Sequence, residues 1–340
     1  MVHKTGREKL LFKMQNLYQK EAVRMSRSVA AAGERTRRKS VLKTIFEQRC
    51  ILSLALPGVV WMILFCYLPM YGVILAFKDY NVGVGIWNSE WVGLKWFEEI
   101  ASDAMFWKTL RNTLFFSVLN LVVGFPAPVI FALMINELTG ARLFKRTVQT
   151  ISYLPHFLSW VFVASFLNTF LSDNGTLNPL LISLGVLERP YGFLSHSFSF
   201  VVIIVLSNIW KGFGYSSIIY LAAMTSVPQE MYEAALIDGA SRLQKIWYIT
   251  LPSIKPTVMV LLILSISGMI NSNFEQFYLL QNAFVKDIAN VLDVYTYQIG
   301  FEQGRFSYST AVGLFKSVVS FVLLIIANTT SKKLTGESIY

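Results

Sequence analysis

Glu230, Glu233 and Asp238 stand close together in a polar island between two long apolar stretches, interleaved with Ala234, Ala235, Gly239 and Ala240 and followed by Ile249-Thr250-Leu251-Pro252. No nucleophile and base pair accompanies them, so the chemistry on offer is recognition: negative charge on a helix whose alanines permit close backbone approach. Ser226 and Gln229 have the spacing of a capping box, with Pro228 in the first turn where its missing N–H costs little, and Gly239 is a natural left-handed stop. A second capping box runs from Ser241 to Gln244, and Leu243, Ile246, Trp247 and Thr250 recur at helical spacing. The expectation is two short helices joined by a glycine elbow. A surface hairpin with no partner would need the same caps, but neither the Glu-Ala-Ala, nor the Asp-Gly-Ala, nor the Leu-Pro.

The elements that must hold this island are membrane helices. Hydrophobic residues make up 54% of the 340 and charged residues only 15%, and mean hydropathy is +0.51, outside the range of soluble domains. Six stretches reach the roughly 20 residues a bilayer requires: 51–77, 113–135, 148–171, 197–224, 256–280 and 308–328. The net charge of +10 sits almost wholly in residues 1–50, which hold 13 Lys/Arg against 4 Glu. Nucleic acid is therefore not the expected partner; the charge belongs to one cytoplasmic tail that touches anionic headgroups or is simply solvated. With that tail inside, 21 Lys/Arg are cytoplasmic and 7 extracellular, in accord with the positive-inside rule. The predicted organisation is a tail over 1–50, a first span over 51–77, an extracellular loop over 78–112, a core over 113–330 with the acidic loop at 226–252, and a cytoplasmic tail over 331–340. Cys50 and Cys66 are too far apart on one helix to pair. His3, His156 and His196 are scattered, so no metal site is expected, and no phosphate-binding GxxxxGK[ST] is present.

The run EAALIDGASRLQKIWYITLP (from Glu233) resembles the EAA loop of the membrane subunits of binding-protein-dependent ABC importers. The runs LPMYGVILAFKDYN (from Leu68), QTISYLPHFLSW (from Gln149), NIWKGFGYSSIIYLAAM (from Asn208), NFEQFYLL (from Asn273) and TAVGLFKSV (from Thr310) look like the LplB/YteP group of carbohydrate permeases, similar to the larger maltose permease MalF. The resemblance covers about residues 45–330. It implies an all-α type I ABC importer permease fold with six transmembrane helices and cytoplasmic coupling helices. Glu233, Ala234, Ala235, Asp238, Gly239, Ala240, Leu251 and Pro252 are then the ATPase-coupling residues. Further implied are a homologous second permease, two ATPase subunits carrying the ATP and magnesium, an extracellular substrate-binding lipoprotein and an oligosaccharide; no cofactor belongs to this chain. A permease for a peptide or amino acid shares the loop, and a proton-coupled secondary carrier is a more distant alternative.

A path for the solute is sought among polar residues that share helix faces, because such groups in a membrane helix must face protein or water. The fourth span offers Ser207, Trp210, Lys211, Gly214 and Ser217; the fifth Leu264, Ser267, Gly268, Asn271, Glu275 and Tyr278; the sixth Gly313, Lys316, Ser317 and Ser320. Trp210 and Tyr215 suit the CH faces of a sugar, and Asn271 and Glu275 its hydroxyls. Glu275 and Lys316 lie at similar depth, either in the path or as a structural pair. Lys211, near mid-depth with no evident partner, is the stronger path residue; it is a counter-charge for an acidic oligosaccharide, the partner of a fixed acidic group on the second permease, or a lysine in a wet cavity whose stem reaches polar groups. Trp87, Trp91, Trp96 and Trp107 are expected at the outer interface, kinks at Gly124–Pro128 and at Pro155–His156, and a hydrogen-bonded His156 within the bundle.

Overall fold

The computed structural model describes residues 49–138, 140, 142–336 and 338; the basic tail, apart from its last two residues, lies outside them. The chain forms two units, one ending at Tyr71 and the other beginning at Gly72. The first carries α1, Leu52–Phe77, as far as Tyr71, the last six residues of the helix belonging to the second unit; α1 is uncharged and passes through a π turn at Ile63–Tyr67 into a 3-10 stretch, Leu68–Phe77.

The second unit opens with a two-stranded hairpin, β1 (Lys78–Asp79) and β2 (Glu90–Trp91). Lys78 closes it by donating its Nζ to the carbonyls of Ile86 and Trp87, both at 2.9 Å. Helix α2, Lys95–Ser102, leads to α3, Ala104–Asn136. The loop expected over 78–112 thus ends at Asp103, whose carboxylate accepts the Met105 N–H at 2.8 Å and caps α3. Lys108 and Arg111 in its first turns had masked the start. The expected kink at Gly124–Pro128 is a π turn at Asn120–Gly124, closed by Phe125 N–H donating to the Asn120 carbonyl at 2.9 Å. Pro126 then opens the resumed α-helix, where its missing donor leaves nothing unpaired.

The third span is not one helix. Helix α4, Arg142–Phe157, and α5, Trp160–Leu171, meet at a 95° bend. Pro155 sits in a 3-10 turn and Ser159 caps α5 through the Phe162 N–H at 3.2 Å. Next come α6 (Ser197–Thr225), α7 (Gln229–Ile237), α8 (Arg242–Ser267), α9 (Phe274–Leu280), α10 (Leu292–Tyr297) and α11 (Phe306–Thr335). Among the described residues five helices are long and apolar enough to cross a membrane, and the bent pair makes six. The boundary expected at 331 falls inside α11, which runs on until Gly336 turns left-handed at φ +76°.

Three apolar clusters hold the second unit together. Phe116, Phe200, Ile204, Phe277 and Leu280 join α3, α6 and α9, with the Phe116 and Phe277 rings 4.7 Å apart. Trp96, Phe106, Ile270, Leu292 and Tyr308 form the second, and Ala132, Tyr220, Met224 and Ile254 the third. Trp96 is therefore a core residue and not an interface one, its Nε1 donating to the Lys78 carbonyl at 2.9 Å; Trp87, Trp91 and Trp107, the last in the first turn of α3, are exposed.

Candidate coupling surface and membrane path

The acidic island folds into the predicted pair of helices, α7 and the first turn of α8. The spacing of the motif is the spacing of a helix stop. Gly239 is left-handed at φ +72°; its N–H donates to the Leu236 carbonyl at 3.1 Å, and the Ala240 N–H reaches the Ala235 carbonyl at 2.9 Å. These are the two bonds of a Schellman motif, so Ala235, Asp238, Gly239 and Ala240 occupy its C3, C-cap, C′ and C″ positions. A Cβ at residue 239 meets no neighbour, so the requirement there is conformational, about 1 kcal/mol. The second capping box forms in full, Ser241 N–H to Gln244 Oε1 at 2.7 Å and Gln244 N–H to Ser241 Oγ at 3.4 Å. The first does not. Pro228 is the N-cap of α7, and the Ser226 hydroxyl turns back to the Ala223 carbonyl at 2.7 Å, closing α6 instead.

Tyr232 and Thr250 lock the hairpin across its base, their hydroxyls 2.9 Å apart. Above that lock a notch of about 250 Å³ opens between the two helices, lined by Ala235, Asp238, Ala240, Gln244 and Tyr248 among others. Glu233 and Ala234 are exposed, Leu251 half-buried and Pro252 exposed. Ile237 is 87% exposed and Tyr248 78%, and Leu236, Leu243 and Trp247 are each about two-thirds uncovered. The stripe from Leu243 to Thr250 is split: Thr250 and Ile246 turn inward, Leu243 and Trp247 outward.

The predicted fifth span breaks. Helix α8 stops at Gly268, so Asn271, Glu275 and Tyr278 do not continue its face; residues 271–273 are irregular and α9 carries Glu275 and Tyr278. Beside the break lies an open-sided cavity of about 700 Å³ whose polar lining includes Ser117, Asn120, Asn208, Tyr215, Ser265 and Asn271. Asn208 Nδ2 donates to Asn120 Oδ1 at 2.9 Å across it. The break is fastened on both sides. Ser117 Oγ donates to the Met269 carbonyl at 2.5 Å, and Asp293 accepts the Ser272 N–H at 2.7 Å and its hydroxyl at 2.8 Å while pairing with Lys316. Lys316 thus pairs with Asp293, and the expected Glu275–Lys316 pair does not form.

Tyr215 and Asn271 line the cavity; Trp210, Lys211, Glu275 and Lys316 do not. Trp210 lines an apolar groove with Phe162, Phe166 and Leu206. Lys211 has partners after all: its Nζ donates to the His156 carbonyl at 2.7 Å, stands 5.6 Å from the Trp160 ring centroid, and is attracted by the Glu275 carboxylate. The carbonyl it satisfies belongs to the α4–α5 break, where helical bonding is lost. The His156 ring makes no hydrogen bond among the described residues but stacks on Tyr215, centroids 4.0 Å apart. Of the fourth-span face, Ser207, Gly214 and Ser217 are buried between helices. Sequence reasoning passed over Asn120, Asn208 and Asp293, although amides and carboxylates within apolar runs are expensive enough to be a signal.

Away from the coupling loop, Asp103 anchors a closed polar network. Tyr308 donates to its Oδ2 at 2.9 Å, Tyr295 donates to the same oxygen, and the two hydroxyls are 2.9 Å apart. Burial works against the Asp103 charge, but hydrogen bonds from Tyr295, Tyr308 and the N–H groups of Met105 and Phe106 outweigh it and hold the carboxyl below the usual range. Burial and the Asp103 contact push the Tyr295 phenol well up. Arg305 pairs with Glu99 at 2.5 Å and lies over the Tyr308 ring.

Residues 100–336 match the family described as binding-protein-dependent transport system inner membrane component. The chain is 44% identical over 302 residues to protein LplB of Bacillus subtilis, covering 88% of this chain and 94% of that protein. It is also 44% identical over 308 residues to the polygalacturonan/rhamnogalacturonan transport system permease protein YteP of the same organism, covering 90% and 95%. Among solved structures, a chain of a bacterial ABC transporter involved in import of the acidic polysaccharide alginate superposes with a TM-score of 0.79 at 37% identity, covering 87% of this chain and 100% of that one. A second crystal structure of a bacterial alginate transporter, in complex with its alginate pentasaccharide-bound periplasmic protein, agrees equally well. With the helix-stop loop, the broken spans and the family match in register, the chain belongs to the inner membrane components of binding-protein-dependent transport systems, the permease subunits of ABC importers.

Proposed function

We propose that the chain is one of two homologous permeases in an ATP-driven oligosaccharide importer. Loop 226–252 docks in a cleft of a partner ATPase, and the amide-lined cavity forms this chain's side of the sugar's route. One observation carries the reading: α8 begins in the docking hairpin and ends at the break beside the cavity. Its 26 residues make a strut of about 39 Å, so a displacement of the hairpin is delivered to Gly268–Ser272, where Ser117 and Asp293 hold the chain. Two ATPase subunits supply ATP hydrolysis and magnesium, and an extracellular lipoprotein delivers the substrate. Twenty-one Lys/Arg on the loop side against 7 on the other support a multi-pass cell-membrane protein with both termini and the hairpin cytoplasmic.

An acidic oligosaccharide is the substrate class that the relatives' names favour, since alginate and polygalacturonan are both polyuronates. The cavity supplies amides and hydroxyls, which suit sugar hydroxyls irrespective of charge. Two measurements test the reading. Uptake in cells or vesicles should vanish when the partner ATPase is inactivated; persistent uptake would mean a carrier that does not use the loop. Ligand identification on the partner binding protein should return a uronate-containing oligosaccharide, and a neutral sugar as sole ligand would overturn the acidic assignment while leaving the permease reading intact.

A further inference from the structure

The bend between α4 and α5 is held from outside, by residues 211–215 of α6. Gly214 takes the arm before the bend: it has no Cβ, and the Ser152 carbonyl seats where one would be. Tyr215 takes the corner, its ring stacked on His156 with centroids 4.0 Å apart and planes within 3°, while Phe157 meets both rings edge-on. Lys211 takes the far side, its Nζ donating to the His156 carbonyl at 2.7 Å and standing 5.6 Å from the Trp160 ring centroid. Lys211 and Tyr215 are four residues apart and so share a face of α6. In a continuous helix the Trp160 N–H would satisfy the His156 carbonyl. The 95° bend takes that donor away, and a carbonyl left bare inside an apolar bundle is costly. Lys211 replaces the donor and thereby fixes the backbone of the residue whose ring covers Tyr215. Tyr215 lines the cavity and His156 does not, so the phenol meets the cavity with one face already backed. Lys211 is likewise outside the lining; its charge is used on the bend.

We infer that Lys211 is a positioning residue for the sugar's route: it acts through the His156 carbonyl and ring to hold Tyr215 in one orientation on the cavity wall, and is not a counter-charge that touches the substrate. This rests on the reading of the cavity as the route, and two readouts keep the two claims apart.

The first readout is the ring itself. A ring-fluorinated tyrosine at residue 215 of the assembled transporter carries a fluorine resonance displaced by the imidazole stacked on it, and His156→Ala marks the unstacked position. Lys211→Met should move the resonance most of the way to that mark, whereas Lys211→Arg, which keeps a donor of sufficient reach, should leave it at the parent position. A resonance unmoved by Lys211→Met, or by His156→Ala, would overturn the proposal whatever the transporter carries. The second readout is ATP-driven uptake with trigalacturonate as the probe. A loosened Tyr215 that the sugar must first immobilise should raise KM about two- to tenfold with the maximal rate unchanged. Lys211→Met and His156→Ala should each do this, and the double variant should do no more than either alone, since both act on one ring. A KM penalty from Lys211→Met that persists in full on the His156→Ala background would show the ammonium acting on the acidic sugar directly, and would overturn the proposal. A shifted resonance with KM unchanged would instead sink the reading of the cavity as the route, with the positioning of Tyr215 itself upheld.

Discussion

The coupling hairpin and the Asp103 network are both polar assemblies at helix ends, yet they are finished differently. In the network Asp103, Tyr295 and Tyr308 satisfy one another, Arg305 and Glu99 pair, and Trp96 and Phe106 are buried beneath them. In the hairpin the backbone is satisfied by the Schellman bonds and the capping box, but Leu236, Ile237, Leu243, Trp247 and Tyr248 remain bare. A soluble patch of that kind marks a binding site. One assembly is thus complete within the chain, and the other leaves the apolar half of its surface uncovered by the chain.

The sharpest way to break this contrast is to alter the hairpin and watch function and folding separately. Glu233→Lys or Gly239→Asp should abolish transport while the protein remains in the membrane, the first with an unchanged melting temperature and the second with only the loss that about 1 kcal/mol of backbone strain brings. Normal transport by either variant, with its ATPase bound, would remove the docking assignment.

The converse perturbation belongs to the self-sufficient side. Asp293→Ala strands the largely buried Lys316 and frees Ser272, and should cost about 3–5 kcal/mol of stability, read as a lowered melting temperature in detergent. Asp293→Asn combined with Lys316→Met should recover most of it, because the two losses are not independent. If the single and double variants melt alike, the pair does not hold the break.

Trp247→Ala should weaken ATPase binding by about thirtyfold, the scale of an aromatic hot spot, without shifting the melting temperature of the isolated chain. A stability loss instead would show that the indole is packed within the chain.

The smallest effect is expected from Tyr295→Phe, about 1–2 kcal/mol, and it carries a pH signature. Asp103 titrates below its unfolded value, so its contribution is present above about pH 4 and is lost as pH falls through the depressed folded value. Tyr295 titrates above its unfolded value, so its share is present below about pH 10 and is lost only in stronger alkali. Removing the phenol takes a hydrogen bond from Asp103, and the acid limb of a stability profile should become shallower. An unchanged limb would mean that Tyr308 and the helix N-terminus suffice.

The hairpin was legible because its determinants are local: the Schellman bonds and the second capping box each close within six consecutive residues. The first capping box failed because Pro228 took the cap position and left Ser226 to the preceding helix. Hydropathy found the spans but could not see where α8 ends, since Met269 and Ile270 carry the apolar run past Gly268 and the break is held by Ser117 and Asp293 from other elements. For the same reason Asn120 and Asn208, which meet across 88 positions, leave no local signal, and Trp96 has the composition of an interface residue but is drawn into the core by the hairpin backbone 18 positions before it. Pro155 announces the bend, but not which carbonyl it frees, and that carbonyl, of His156, is the acceptor that leaves Lys211 partnered.

The π turns at Asn120–Gly124 and Ile246–Thr250 each store one residue more than an α-helix of the same rise requires. Such a surplus twists everything beyond it by about 100°. In α3 it decides which amides look into the cavity, and in α8 it sets the rotational phase between the docking hairpin and the shaft that follows. Deleting one residue from either turn would restore a regular helix of nearly unchanged length but rotate one half against the other, a gear slipped by a single tooth. In α3 that would swing Asn120 away from Asn208; in α8 it would turn Thr250 away from Tyr232 and set the strut out of phase with the hairpin.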